Sequence, residues 1–412
     1  MNNKMVKQKK AWITTLAVAV TLTFLFTACA PAPTGLAEKE KVVEFGIIGP
    51  FTGAGGSSMQ TMVGGNQDYL RYFNESQAIP GVSIKFLWGD TTMQFSLLYS
   101  HYERFVERGL PLIEIEEATG LTGLKERFER DEVVVFSCGA GYQAVVYPEP
   151  GWRYTITPTI AEQAAVAIEY FWENWQGDRP PRLDFMVIDS PWGYEPGYAT
   201  EYFQGLGFEV LPVEVVPFVT LDATTQLLRL KASGADLVYI QGLPATVGPV
   251  LRDAERLGLL GQVRFAGHSS GMGERVIEMT GVASEGYFMA RTCPWFDDTE
   301  VPGIGLILDN MTKYHGEVQR EGEYFTGWVG GAVMCEAIRR AIENVGYDNL
   351  DGPAVKAAFD GMKDFDVYGL ASVTYKPDDH RGVTKMAVYE VRDGKVVRVS
   401  DWREAPMLML EE

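Results

Sequence analysis

Short apolar runs alternate with longer amphipathic stretches across residues 43–290, and the alternation is played out twice. In the first set, 43–50, 82–88, 110–115 and 133–137 read as strands, with helical spacing over 59–76, 95–108 and 120–130 between them. In the second, a helix over 161–175 leads into strands 183–189, 210–216, 236–241 and 263–266, with helices over 198–205, 225–233 and 247–257. Strands joined by crossover helices rejoin their sheet in parallel and carry helices on both faces. The expectation is an α/β molecule of two doubly wound parallel-sheet lobes. Beyond the strand at 287–290 come helical patterns over 304–321, 325–344 and 354–362. A short strand at 372–375 follows, then a hairpin of 385–391 and 396–402 turning at Asp393-Gly394.

The 412 residues suit two cores better than one. At the N-terminus, Lys4, Lys7, Lys9 and Lys10 precede an apolar run over 11–26 and then Thr27-Ala28-Cys29. A basic start, an apolar middle and small residues before a cysteine read as a lipoprotein export signal over 1–28, with Cys29 as the acylated new terminus and 29–41 as a linker. An uncleaved anchor is the alternative, and either one tethers the body outside the cytoplasm, in the periplasm or on the outer face of the membrane. The net charge of −19 argues against nucleic acid and anionic membrane surfaces, which need a positive face. Cys138, Cys293 and Cys335 have no metal-site spacing and read as buried thiols, with a 293–335 disulfide as the alternative. Four scattered histidines and a glycine-rich turn at 52–58 without Lys-Ser/Thr meet neither a metal nor a nucleotide motif, so no cofactor is expected.

Four segments, in order, carry a family resemblance: Val43-Glu44-Phe45-Gly46-Ile47-Ile48-Gly49-Pro50-Phe51-Thr52-Gly53; Asp189-Ser190-Pro191-Trp192-Gly193-Tyr194; Ala235 through Gly242 into Leu251-Arg252-Asp253-Ala254-Glu255-Arg256-Leu257-Gly258-Leu259; and Ser284-Glu285-Gly286-Tyr287-Phe288. In these the chain resembles the leucine/isoleucine/valine-type binding proteins of ABC importers, with the type I periplasmic binding fold. The resemblance implies three crossovers, near 156–159, 290–294 and 370–373. Lobe 1 would then be 42–156 plus 293–370, lobe 2 would be 157–292 plus 371–403, and 404–412 would be a tail. It also implies a monomer that closes on a small-molecule ligand at the strand ends and presents it to a permease. A ligand-sensing receptor would use the same clamp.

Mapped onto this chain, the family's ligand contacts fall on Thr119 in the corner after the third strand and on the loop with Gly139, Ala140 and Tyr142. They also fall on Trp192, on Leu243 where relatives carry an aromatic residue, and on Gly267-His268-Ser269-Ser270-Gly271. Ser269 stands where relatives place the Glu that holds an α-ammonium, which removes a charge-assisted bond worth about 1.5–3 kcal/mol and argues against branched-chain amino acids. Strand alternation sends Glu114 and Glu116 to one side and leaves Glu117 at the strand end, so only Glu117 is well placed to supply negative charge. An amide, a carboxylate without an amine and a small aromatic acid stay open as ligands. The same pentapeptide fits Gly-x-Ser-x-Gly, so a serine hydrolase using Ser269 is the enzymatic alternative; it would need His315 or His380, the latter in a polar, turn-like and exposed segment. A non-enzymatic binder is the expectation.

Overall fold

The first strand, β1 (Lys41–Gly49), is exposed only at its start and buried over its last five residues, the signature of a strand covered on both faces. The computed structural model describes residues 41–139, 146–147 and 149–409. After β1 come α1 (Gly56–Glu75), β2 (Val82–Asp90), α2 (Phe95–Glu107), β3 (Leu112–Ile115), α3 (Ala118–Gly123), α4 (Lys125–Arg130), β4 (Val134–Ser137) and β5 (Arg153–Thr155). These five strands form one sheet, in order β2-β1-β3-β4-β5, and every pairing is parallel. β3 and β4 are buried at every residue.

The second series is α5 (Ile160–Glu173), β6 (Arg182–Ile188), α6 (Pro191–Tyr198), α7 (Thr200–Leu206), β7 (Glu209–Val210), β8 (Glu214–Val216), α8 (Thr224–Ser233), β9 (Leu237–Gln241), α9 (Pro244–Arg256), β10 (Arg264–Gly267), α10 (Glu274–Thr280) and β11 (Phe288–Arg291). The chain then builds α11 (Pro302–His315), α12 (Gly322–Val345), α13 (Gly352–Asp360), the short ribbon β12 (Phe365–Asp366) with β13 (Ser372–Val373), and finally β14 (Lys385–Arg392), β15 (Lys395–Arg398) and β16 (Arg403–Glu404). The second sheet runs β15-β14-β11-β10-β9-β6-β7, with β8 beside β6 and β16 beside β14. Its body is parallel and its β14–β15 edge antiparallel, so the molecule is α/β with the two doubly wound sheets expected from the alternation. The β14–β15 turn has positive φ at Asp393 (51°) and Gly394 (70°), which a two-residue hairpin turn of this hand requires.

Several elements depart from expectation. The helix expected over 304–321 ends at His315, where Gly316 takes a left-handed φ of 77°, and the strand expected over 210–216 is divided into β7 and β8. The stretch 120–130 is two short helices meeting at Leu124, whose φ of −110° breaks the run. The segment Pro191–Tyr198, to which the sequence pattern assigns no helix, is α6: Pro191 fits the first helical position, and the Ser190 hydroxyl accepts from the Gly193 N–H at 3.0 Å.

α1 and α12 pack against each other through glycines. A Cβ on Gly327 would stand 1.7 Å from the Met62 carbonyl oxygen, and one on Gly65 would stand 2.2 Å from that of Tyr324. Only hydrogen at these positions lets the backbones approach so closely. Buried Asp68 of α1 ties the pair further, accepting from the Tyr324 hydroxyl at 2.6 Å and meeting His315 Nε2 of α11 at 2.6 Å.

The chain passes between the sheets after β5, after β11 and after β13. Segments of the first and last passages lie side by side: the Thr155 N–H donates to the His380 carbonyl at 3.0 Å and the Gly382 N–H to the Thr155 carbonyl at 2.8 Å. Next to them Thr159 and Glu162 form a capping box at the start of α5, and Glu162 pairs with Arg381 at 2.8 Å. His380, expected to be exposed, is 2% exposed: its ring stacks on Tyr154 at 4.0 Å, and its Nδ1 lies 2.7 Å from the Arg153 carbonyl. Burial pushes its pKa down to about 4, so it is neutral at physiological pH. No helix among the described residues is long and apolar enough to cross a membrane.

Candidate functional site

The C-terminal ends of strands from both sheets converge on a cavity of about 230 Å³. From the first sheet come Pro50 after β1, Glu116 and Glu117 after β3, and Gly139 after β4; α1 adds Ser58, Met59 and Met62. From the second come Ile188 and Trp192 around the β6–α6 turn, Phe218 after β8, Leu243 after β9 and Ser270 after β10. Glu323, in the first turn of α12, closes the ring. Parallel sheets place ligand sites at such strand ends because the connecting turns there are free to vary.

The first-sheet wall is acidic. Glu114 and Glu116, two apart on the strand, project to the same side. Glu114 is fully buried, and both of its oxygens lie within reach of Asn66 Nδ2, at 3.1 and 2.9 Å. Glu116 reaches the cavity while accepting from the Cys138 N–H at 2.5 Å, the Gly139 N–H at 3.2 Å and the Ser137 hydroxyl at 3.2 Å. Burial raises both carboxyls above the ordinary range, and the neighbouring Glu114 charge raises Glu116 further. Glu117 occupies the N-cap position of α3 and accepts from the hydroxyl of buried Thr91; burial raises it too. Glu323 is raised by burial, against which the Ser270 hydroxyl and the Arg291 charge act to lower it.

Trp192 meets the ring of His268 edge-on, centroids 5.2 Å apart. His268 itself is buried, and its Nδ1 accepts from the Ser270 N–H at 3.2 Å. Burial, with the Arg291 charge second, pushes His268 down to about 3, leaving a neutral ring that carries its proton on Nε2. It acts as the backing for Trp192.

Of the residues singled out from sequence, Thr119, Gly139, Trp192 and Leu243 line the cavity. His268 and Ser269 lie behind the wall, and Ser270 is the member of that pentapeptide that faces inward. Ala140, Tyr142 and Cys29 lie outside the described residues. Sequence reasoning missed Glu323, Phe218, Ser58, Met59 and Met93, and it gave Met62 only to a helix face. The signal for Glu323 was the glycine content of α1 and α12, which pulls the start of α12 to the strand ends. His315 is held by Asp68 and His380 by Tyr154 and Arg153, so neither hydrogen-bonds Ser269. Glu114, Glu116 and Cys138 bring ligand-type atoms within 4.8 Å of one another, but their acceptors are already occupied by Asn66 and by the backbone after β4. Cys138, Cys293 and Cys335 are buried and free.

Comparison with known proteins agrees with this architecture. A family model described as periplasmic binding protein matches residues 42–395. The Leu/Ile/Val-binding protein homolog 7 of Brucella melitensis biotype 1 is 23% identical over 232 residues, 53% of this chain and 54% of that protein, so the chain spans about half the length of that relative. Among solved structures, a branched-chain amino acid ABC transporter protein from Thermus thermophilus with bound valine superposes with a TM-score of 0.81, at 23% identity, over 89% of this chain and 97% of that one. A solute-binding protein from Rhodopseudomonas palustris BisB5 in complex with 3,4-dihydroxybenzoic acid superposes at 0.74, with 16% identity, over 88% and 98%. A fatty acid ABC transporter substrate-binding protein from Thermomonospora curvata does so at 0.76, with 16% identity, over 88% and 92%. At these identities the structural likeness is one of fold, while the family match spans most of the sequence. The chain belongs to the periplasmic binding protein family.

Proposed function

We propose that the protein is the extracytoplasmic solute-binding component of an ABC importer: a monomer, lipid-anchored through Cys29, that captures a small organic molecule between lobes 42–156 plus 293–370 and 157–292 plus 371–403, and hands it to a permease. The observation that carries this reading is the cavity built jointly by the strand ends of both sheets. Such a cavity forms or opens with any change in the angle between the sheets, which couples occupancy to shape. The site binds and releases without chemistry. Apolar walls supply affinity, while the carboxyls and Ser270 fix orientation.

Mass spectrometry of solute released on denaturing the purified chain, followed by thermal-shift titration with the released compound, tests the reading. Saturation at about a hundred times Kd adds roughly 2.7 kcal/mol to stability, with the compound recovered unchanged. Turnover, or the absence of any saturable small molecule, would falsify it.

A further inference from the structure

We infer that the solute is an organic cation, a small alkyl or aryl amine without a free carboxylate. This rests on the cleft being a solute site, as proposed above, and adds the charge of what enters it. Glu116 and Glu117 approach the cavity from the first sheet and Glu323 from α12, and no lysine or arginine is among the described residues lining it. Residues 140–145, Ala-Gly-Tyr-Gln-Ala-Val, contain no lysine or arginine.

The backbone N–H groups after β4 that could receive a carboxylate are already in use. The N–H groups of Cys138 and Gly139 donate to the protein's own Glu116 carboxyl, and the Ser190 hydroxyl is committed to capping α6. Arg291 packs behind Glu323, 3% exposed, with its guanidinium 4.7 Å over the Trp295 ring, outside the lining. Its charge acts on the Glu323 carboxyl. An anionic ligand would therefore meet acidic side chains with no basic one beside them, and only hydroxyls such as those of Ser58 and Thr119 to hold it. The remaining walls, Met59, Met62, Met93, Trp192 and Phe218, suit an apolar body, and an aromatic face beside a cation adds attraction.

The test is titration calorimetry on the chain with seven probes: 3-methylbutylamine, benzylamine and leucinamide against leucine, 4-methylpentanoate, benzoate and the neutral 4-methylpentanamide. The expected result is saturable binding of at least one amine, roughly tenfold or more tighter than its carboxylate or neutral isostere. Glu323→Gln and Glu117→Gln should each weaken that amine by roughly tenfold without lowering the ligand-free melting temperature. Tighter binding of leucine, a carboxylate or the neutral amide overturns the ligand class and leaves solute capture standing. So does retention of full amine affinity in both variants. Saturation by none of the seven, with no small molecule released from the purified chain, overturns both.

Discussion

Asp184 on β6 shows how single residues set the pH response of this protein. It is 3% exposed and its Oδ1 has no hydrogen-bond partner among the described residues; burial, and then the charge of Glu214, pushes it up to about 7. A folded-state value above the unfolded value of about 3.9 means the native state holds the proton more tightly. This contribution is thus fully present below about pH 4, is lost progressively as pH rises, and is gone above about 7. Asp184→Asn should flatten that decline and raise stability at pH 8 by on the order of 2–4 kcal/mol, read from urea denaturation at pH 5 and pH 8. At this scale the sequence was legible where strand alternation decided the matter, as for the shared side of Glu114 and Glu116. It was not legible for His380, whose neighbours Asp378, Asp379 and Arg381 look solvated yet carry it into a slot against Tyr154. Nor did it tell Ser269 from Ser270, since a 3-10 turn decides which of two adjacent hydroxyls faces inward.

Among the elements, α1 and α12 bear most directly on the site. Their starts bring Ser58, Met59 and Glu323 to the cavity, and their crossing depends on Gly65 and Gly327. Gly327→Ala forces a methyl into the Met62 carbonyl and should cost about 1–3 kcal/mol in chemical denaturation. It should also weaken any ligand held by Glu323, whereas Gly205→Ala, with open space around it, should do neither. The alternation of strands and helices was readable because period-two and period-3.6 patterns differ over a few residues. α6 was not, because Pro191 and Gly193 are turn residues in most settings and only the cap at Ser190 makes them a helix start.

For the whole molecule, Trp192 is one of the side chains that span both halves. It packs against the core of the first sheet while its ring meets His268 of the second. Trp192→Ala should lower ligand affinity by roughly ten- to a hundredfold through lost burial. It should also raise the radius of gyration of the ligand-free chain in small-angle scattering. Two lobes and their parallel sheets were visible in the sequence because each lobe repeats a local pattern. The composition of the wall between them was not, since it joins residues as far apart as Pro50 and Glu323. The paired bonds between Thr155 and the His380–Gly382 segment bear on how these halves can move. A bend across that strip keeps both bonds, whereas a sideways twist would shear them. Swinging apart is therefore confined to one rotational sense, and the two rims would return to the same relative orientation each time the jaws shut.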